Sequence, residues 1–182
     1  MNSEVWSFSA VGQDRPGIVA AISKLLFEQD CNLSDSSMTI LAGQFAVVLI
    51  FETGEKTQSD KLNQAISELG KTWHLQVIAG PIEEDSTNKS EPSGECHLVS
   101  VYGADQAGLT WKVAERIASS GYNVTDLSTK KIEGSAPVYI LLLEIEAGPK
   151  ASGTKSLESD LHTLGQELGC SVTLKPVESS EF

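Results

Sequence analysis

The sequence predicts an α+β protein built from two copies of one β-α-β-β-α-β unit, each an antiparallel sheet with both helices on one face. Three observations lead there. Gly12-Gln13-Asp14-Arg15-Pro16-Gly17 returns 91 residues later as Gly103-Ala104-Asp105-Gln106-Ala107-Gly108, and the echo continues at that spacing in Asn32 and Asn123, Asp35 and Asp126, Gly43 and Gly134, and Val47 and Val138. Within each copy, short apolar runs alternate with segments whose apolar residues recur at helical spacing. Between the copies lies a polar, acidic stretch rich in turn formers. The units therefore fall at residues 1–80 and 96–182, with an acidic linker over 81–95.

Val5 to Val11 is rich in apolar and aromatic residues and ends at Gly12, which reads as a strand entering a turn. Ile18, Ala21, Ile22, Leu25 and Leu26 share one face of a following helix. Asp14 is placed to cap it by accepting from the Gly17 N–H, with Pro16 in the first turn. The helix stops near Asp30-Cys31-Asn32, where the second copy has Gly121. Leu33 to Leu41 is polar for a strand and suits a sheet edge. After a turn at Gly43, Phe45 to Phe51 is apolar throughout, as an interior strand is. Leu62, Ala65, Ile66 and Leu69 mark a second helix, and Trp73 to Ile78 closes the unit. This order is the ferredoxin-like plan.

The second copy repeats it: a strand to Tyr102, a helix from Leu109 to Ser120, strands from Asn123 to Ile132 and Val138 to Ile145. A longer loop with Gly148, Pro149 and Gly153 leads to a helix carrying Leu157, Leu161, Leu164 and Leu168, then a strand from Cys170 to Leu174. Lys112 and Arg116 replace Ala21 and Leu25, so this first helix packs on a narrower face or meets a polar group.

Composition bounds the function. A net charge of −12, from 13 basic and 25 acidic residues, argues against direct binding of nucleic acid or anionic lipid. The longest apolar run, Phe45 to Phe51, is far short of the roughly 18 residues of a membrane span. Units this small bury modest cores, so the two are expected to pair within one chain. Three cysteines without a CxxC pair, and a start lacking a basic and apolar leader, point to a reduced, cytoplasmic setting. Catalytic patterns are weak: His74, His97 and His162 are scattered, Cys96 and His97 point to opposite strand faces, GxSxG is absent, and Cys31 reads as a structural thiol. No metal or cofactor is implied.

The repeated loop is the candidate site. A glycine-flanked turn into a helix leaves backbone N–H groups free for an anion. Phosphate fits poorly, because the loop carries Asp14 and lacks a P-loop lysine. A small zwitterion fits better, its carboxylate on N–H groups near Gly17 and Ile18 and its ammonium on an oxygen such as that of Asn32. The same residues also suit a purely structural turn, cap and left-handed asparagine.

Gly12-x-Asp14-Arg15-Pro16-Gly17-Ile18 followed by Cys31-Asn32-Leu33 resembles an ACT domain, a βαββαβ module that binds amino acids and regulates proteins. Two such modules in a short chain are similar to the glycine cleavage system transcriptional repressor family. The resemblance is strongest over residues 5–51 and weaker over 97–145. It implies a ligand at the seam between two modules, held by loop glycines and by the asparagine opening the second strand. The candidate ligand-binding set is Gly12, Asp14, Arg15, Gly17, Ile18 and Asn32, with Gly103, Asp105, Gly108, Leu109 and Asn123 in the second copy. Gln106 and Ala107 in place of Arg15 and Pro16 set that copy apart. The function expected is a non-enzymatic regulator that senses a small amino acid and signals to a protein partner, with indirect effects on transcription. The alternative is a ligand-free interaction scaffold, and a homodimer is open to either.

Overall fold

The computed structural model describes residues 3–82, 95–134 and 137–177. These divide into two compact units, within Met1–Lys89 and Ser90–Phe182, and most of the expected linker lies outside the described residues. The first unit runs β1 (Val5–Gln13), α1 (Ile18–Glu28), β2 (Cys31–Leu41), β3 (Gln44–Thr53), α2 (Ser59–Trp73) and β4 (Gln76–Pro81). Its antiparallel sheet has the order β2-β3-β1-β4. The second runs β5 (Cys96–Ala104), α3 (Leu109–Ser119), β6 (Tyr122–Ile132), β7 (Val138–Ala147), α4 (Thr154–Leu168) and β8 (Ser171–Pro176), in the order β6-β7-β5-β8. Each is the ferredoxin-like unit expected, and β2 and β6 are sheet edges.

One sheet face carries the core. Trp6, Phe8 and Ala10 of β1 alternate inward beside Phe45, Val47, Leu49 and Phe51 of β3, and meet Ile18, Ile22, Leu26, Leu62 and Ile66 from the helices. The second core repeats this with Val99, Val101, Leu141, Leu143 and Ile145 under Leu109, Val113, Ile117, Leu157 and Leu161. The apolar run Phe45 to Phe51 is thus buried only at every second residue. Val48, on the helix-free face, remains half-exposed, so the unbroken run overstates burial. Arg116 meets the polar neighbour expected: its guanidinium lies 3.9 Å from the Asp160 carboxylate on α4.

The repeat holds at 91 residues through β2 and β6 and then slips. The two-residue turn Ala42-Gly43, both at positive φ, corresponds to a longer connection from Ile132 to Val138. Gly12 opposes Phe45, whereas Gly103 opposes Tyr139, so the offset on β3 and β7 is 94. The pairing of Val47 with Val138 is therefore corrected: Val47 opposes Ala10, and the residue opposing Val101 is Leu141. From α2 onward the offset is 95, as Ser59–Trp73 against Thr154–Leu168 shows. Among the described residues no helix is long and apolar enough to cross a membrane.

Leu62 and Leu157 are fully buried at equivalent places in the two cores. Truncating either to alanine should cost about 2–5 kcal/mol in denaturant unfolding, whereas Val48→Ala should cost less than about 1 kcal/mol.

Candidate functional site

The loop between β1 and α1 is held from two sides. Gly12 is the last helix-facing position of β1, and a Cβ there would stand 2.7 Å from Leu75 Cδ2 and 3.0 Å from the His74 carbonyl oxygen. The Asp14 N–H donates to the Gly43 carbonyl at 2.9 Å, tying the loop to the hairpin tip. Gly17 then takes a left-handed conformation, φ 97°, and is itself the N-cap, its carbonyl accepting from the Ala21 N–H at 2.9 Å. The Ile18 N–H reaches only the Arg15 carbonyl, at 3.5 Å. Among the described residues the Val19 and Ala20 N–H groups take no backbone acceptor, so the positive end of α1 is left open.

Two expectations about this turn need correction. Asp14 makes no capping hydrogen bond, because the left-handed glycine occupies the N-cap position two residues before the first N–H that a cap would serve. Pro16 precedes the helix instead of sitting in its first turn. Asn32 is no left-handed residue either: Asp30 and Gly121 take that conformation where the helices turn into β2 and β6, and Asn32 is extended.

The first loop leaves its charged side chains unengaged. The Asp14 carboxylate and the Arg15 guanidinium form no hydrogen bond or ion pair among the described residues, and both residues are exposed. The second loop differs at each point. Asp105 receives the Lys131 ammonium at 2.8 Å, and Gln106 Nε2 donates to the Leu168 carbonyl at 2.7 Å. Gly108, at φ 86°, caps α3 as Gly17 caps α1, and Leu109 sits at its first position. The Gly103 Cβ position is blocked, 2.6 Å from Cys170 Cβ. Beside the N-terminus of α3, the Thr110 hydroxyl lies 3.3 Å from that of Tyr139 and the Trp111 side chain is exposed, at positions held by Val19 and Ala20 in the first unit.

Within one unit the structure does not bring the loop and Asn32 together. Gln13 and Leu41 both oppose Gln44 at one end of the sheet, whereas Asn32 opposes Glu52 at the other. Nine residue steps along the strand, about 30 Å, separate Asn32 from Leu41. Asn123 opposes Glu146 in the same way. A single-unit site in which one small ligand spans Gly17, Ile18 and Asn32 is therefore excluded by the direction of β2. At the Asn32 end a hollow of about 340 Å³ is lined by Phe27, Asp30, Cys31, Asn32, Glu52 and Gly54. A knot closes that end: Thr57 Oγ1 donates toward the Gln29 and Asp30 carbonyls at 2.9 and 3.1 Å and accepts from Gly54 N–H at 3.0 Å. The only trace of this knot in the sequence is Gly54 and Thr57 flanking a short loop.

Catalytic geometry is weak. Burial pushes the Cys31 thiol up from its usual range, against a smaller lowering by Thr57, and burial likewise raises Cys170, so neither is an activated thiolate. His97 is buried with Nδ1 3.1 Å from the Glu95 carbonyl, which fits a packing role. Among the described residues no three His, Cys, Asp or Glu side chains are grouped to hold a metal.

The ACT domain model matches residues 8–79 and again residues 95–175, covering both units and both loops. The chain belongs to the ACT domain family. A UPF0237 protein of Methanopyrus kandleri is 38% identical over 71 residues, 38% of this ACT protein and 79% of that one. A UPF0237 protein of Methanocaldococcus jannaschii matches over the same length at the same identity. Such a match has the length of one ACT unit. Among solved structures the chain is similar to the crystal structure of an unknown protein from Galdieria sulphuraria, with TM-score 0.80 at 20% identity, covering 97% of this chain and 100% of that one. A protein assigned as a glycine cleavage system transcriptional repressor gives TM-score 0.72 at 18% identity, covering 98% and 100%. At these identities the likeness shows the tandem fold alone.

The loop geometry separates structural from ligand-facing residues. Gly12→Ala should destabilise the protein by about 1–3 kcal/mol, because backbone as well as Leu75 stands in the way. Asp14→Asn should change the unfolding free energy by less than about 0.5 kcal/mol, since it caps nothing. Denaturant unfolding of the two variants checks both.

Proposed function

We propose that this tandem ACT protein is a non-enzymatic regulator that binds a small amino acid at the first loop and passes the signal to a protein partner. The observation that carries this is the contrast between the loops. In the first, one carboxylate, one guanidinium and two N–H groups at a helix N-terminus lie within seven consecutive residues, and none has a partner among the described residues. That set complements a zwitterion, with Arg15 and the N–H groups of Val19 and Ala20 for its carboxylate and Asp14 for its ammonium.

Asn32 belongs to the same site only if two edge strands are apposed antiparallel, so that the loop of one unit meets the asparagine end of another. The edge position of β2 is what makes such pairing available. The apposed strand can come from the other unit or from a second chain. Within the family resemblance, any effect on transcription is indirect, because a chain at −12 has no surplus of cations to neutralise phosphates. The rival reading is a ligand-free scaffold, favoured by Leu33, Met38 and Ile40, which leave an apolar stripe half-exposed on the helix side of β2.

Thermal unfolding in the presence of each of the twenty amino acids tests the reading. A binder at 100 times its dissociation constant should stabilise by about 2.7 kcal/mol and raise the midpoint by a few degrees. Asn32→Ala should remove that shift and leave the unliganded midpoint unchanged, because its side chain is exposed. A chain that no amino acid shifts is the scaffold instead. Separately, the protein should show no salt-sensitive binding to duplex DNA at sub-micromolar concentration, and such binding in a mobility-shift titration would make it a direct DNA regulator.

A further inference from the structure

The exposed ion pair of the second unit occupies the place where the first unit has none. Lys131 Nζ lies 2.8 Å from Asp105 Oδ2. Asp105 corresponds to Asp14, and Lys131 corresponds to Ile40, both at the 91-residue offset that holds through β2 and β6. Ile40 opposes Phe45 and Lys131 opposes Tyr139, so the two side chains leave their strands at the same level and on the same, helix-covered side. In the first unit that position is apolar and half-exposed and leaves Asp14 alone.

We propose that Lys131 silences the second loop by placing its own ammonium where an amino-acid ligand would place one. This rests on the first loop binding an amino acid and adds which residue decides that only one of the two loops does so. An ammonium tethered to the same chain must be displaced before a ligand's own ammonium can take its place, so binding there is weakened by the equilibrium constant of the internal pair. The pair is solvent-exposed, at 52% and 42% of the side-chain surface, so by itself it weakens a competing ligand by no more than about fivefold, and other groups at the loop must add to it. Two further features close the loop in the same sense. Gln106, at the place of Arg15, donates to the Leu168 carbonyl, and Trp111, at the place of Ala20, has an exposed ring whose edge lies beside Gly108.

The reciprocal exchange tests this. The wild type is first titrated calorimetrically with those of the twenty amino acids that raise its unfolding midpoint. One site per chain is expected, and two would overturn the proposal while leaving the functional reading intact. Ile40→Lys should then weaken that binding by about threefold to fivefold with the unliganded midpoint nearly unchanged, whereas Ile40→Gln, one atom shorter and uncharged, should keep it. The double variant Lys131→Ile, Gln106→Arg should gain a second site. Retained affinity in Ile40→Lys, equal loss in Ile40→Gln, or one site in the double variant would each show that Lys131 does not set the stoichiometry. If no amino acid shifts the wild type, the functional reading fails and the proposal fails with it.

Discussion

The absence of a side chain at Gly12 and Gly103 sets the geometry on which both loops depend. At each position the turn that follows the unit's second helix lies against the end of a central strand. The His74 carbonyl oxygen and Leu75 fill the space where a Cβ of Gly12 would be, and Cys170 does the same at Gly103. Both turns use a left-handed residue to reach that point, His74 at φ 54° and Gly169 at φ 61°. Gly70 and Gly165, within the helices, allow the same closeness, since a Cβ on either would press on Val77 or Val172. Helix, returning strand and central strand are thus locked at one end of the sheet, and the chain leaves β1 or β5 in a fixed direction. The left-handed Gly17 and Gly108 then turn that exit into a helix. Glycines that look like a ligand-binding signature are in this respect consequences of packing, and the side chains between them hold the chemical information.

The antiparallel path sends the helix from the loop end of the sheet to the far end, and β2 must travel the whole way back. Any ligand that uses the first turn of α1 is separated from Asn32 by the full edge strand, about 30 Å. The bulge between Leu33 and Asp35 places Asn32 and Asp35 on the same open face despite their odd spacing, so the asparagine end is polar on the side away from the core. Within one unit the open turn before α1 and the polar end of β2 therefore lie at opposite ends of the sheet, and no single small molecule reaches both.

Much of this was legible in the sequence, for identifiable reasons. Period 3.6 in Ile18, Ile22 and Leu26 and the polar character of residues 33–41 come directly from burial, and they locate α1 and the edge strand correctly. Burial on one face only is less visible, because Ala46, Val48 and Ile50 are as apolar as their buried neighbours and the run reads as two-sided. The capping role of Asp14 was misread because a left-handed glycine supplies the N-cap through its carbonyl alone and needs no side chain. The Val47 and Val138 match failed because a chance identity at constant spacing hides an insertion in the hairpin. The Lys131–Asp105 pair could not be read at all, since it depends on which strand residues share a level with the loop.

Where the two copies differ is therefore as informative as where they agree. The cores are interchangeable position by position, Leu62 with Leu157, Ile66 with Leu161 and Leu69 with Leu164, as expected if each unit must bury enough surface to fold. The changes gather around the second loop: the longer hairpin beside it, Gln106 for Arg15, Lys131 for Ile40 and Trp111 for Ala20. None of these side chains is buried, so none is required by packing. The chain keeps an open, charged turn in one copy and ties the corresponding groups to its own backbone and lysine in the other.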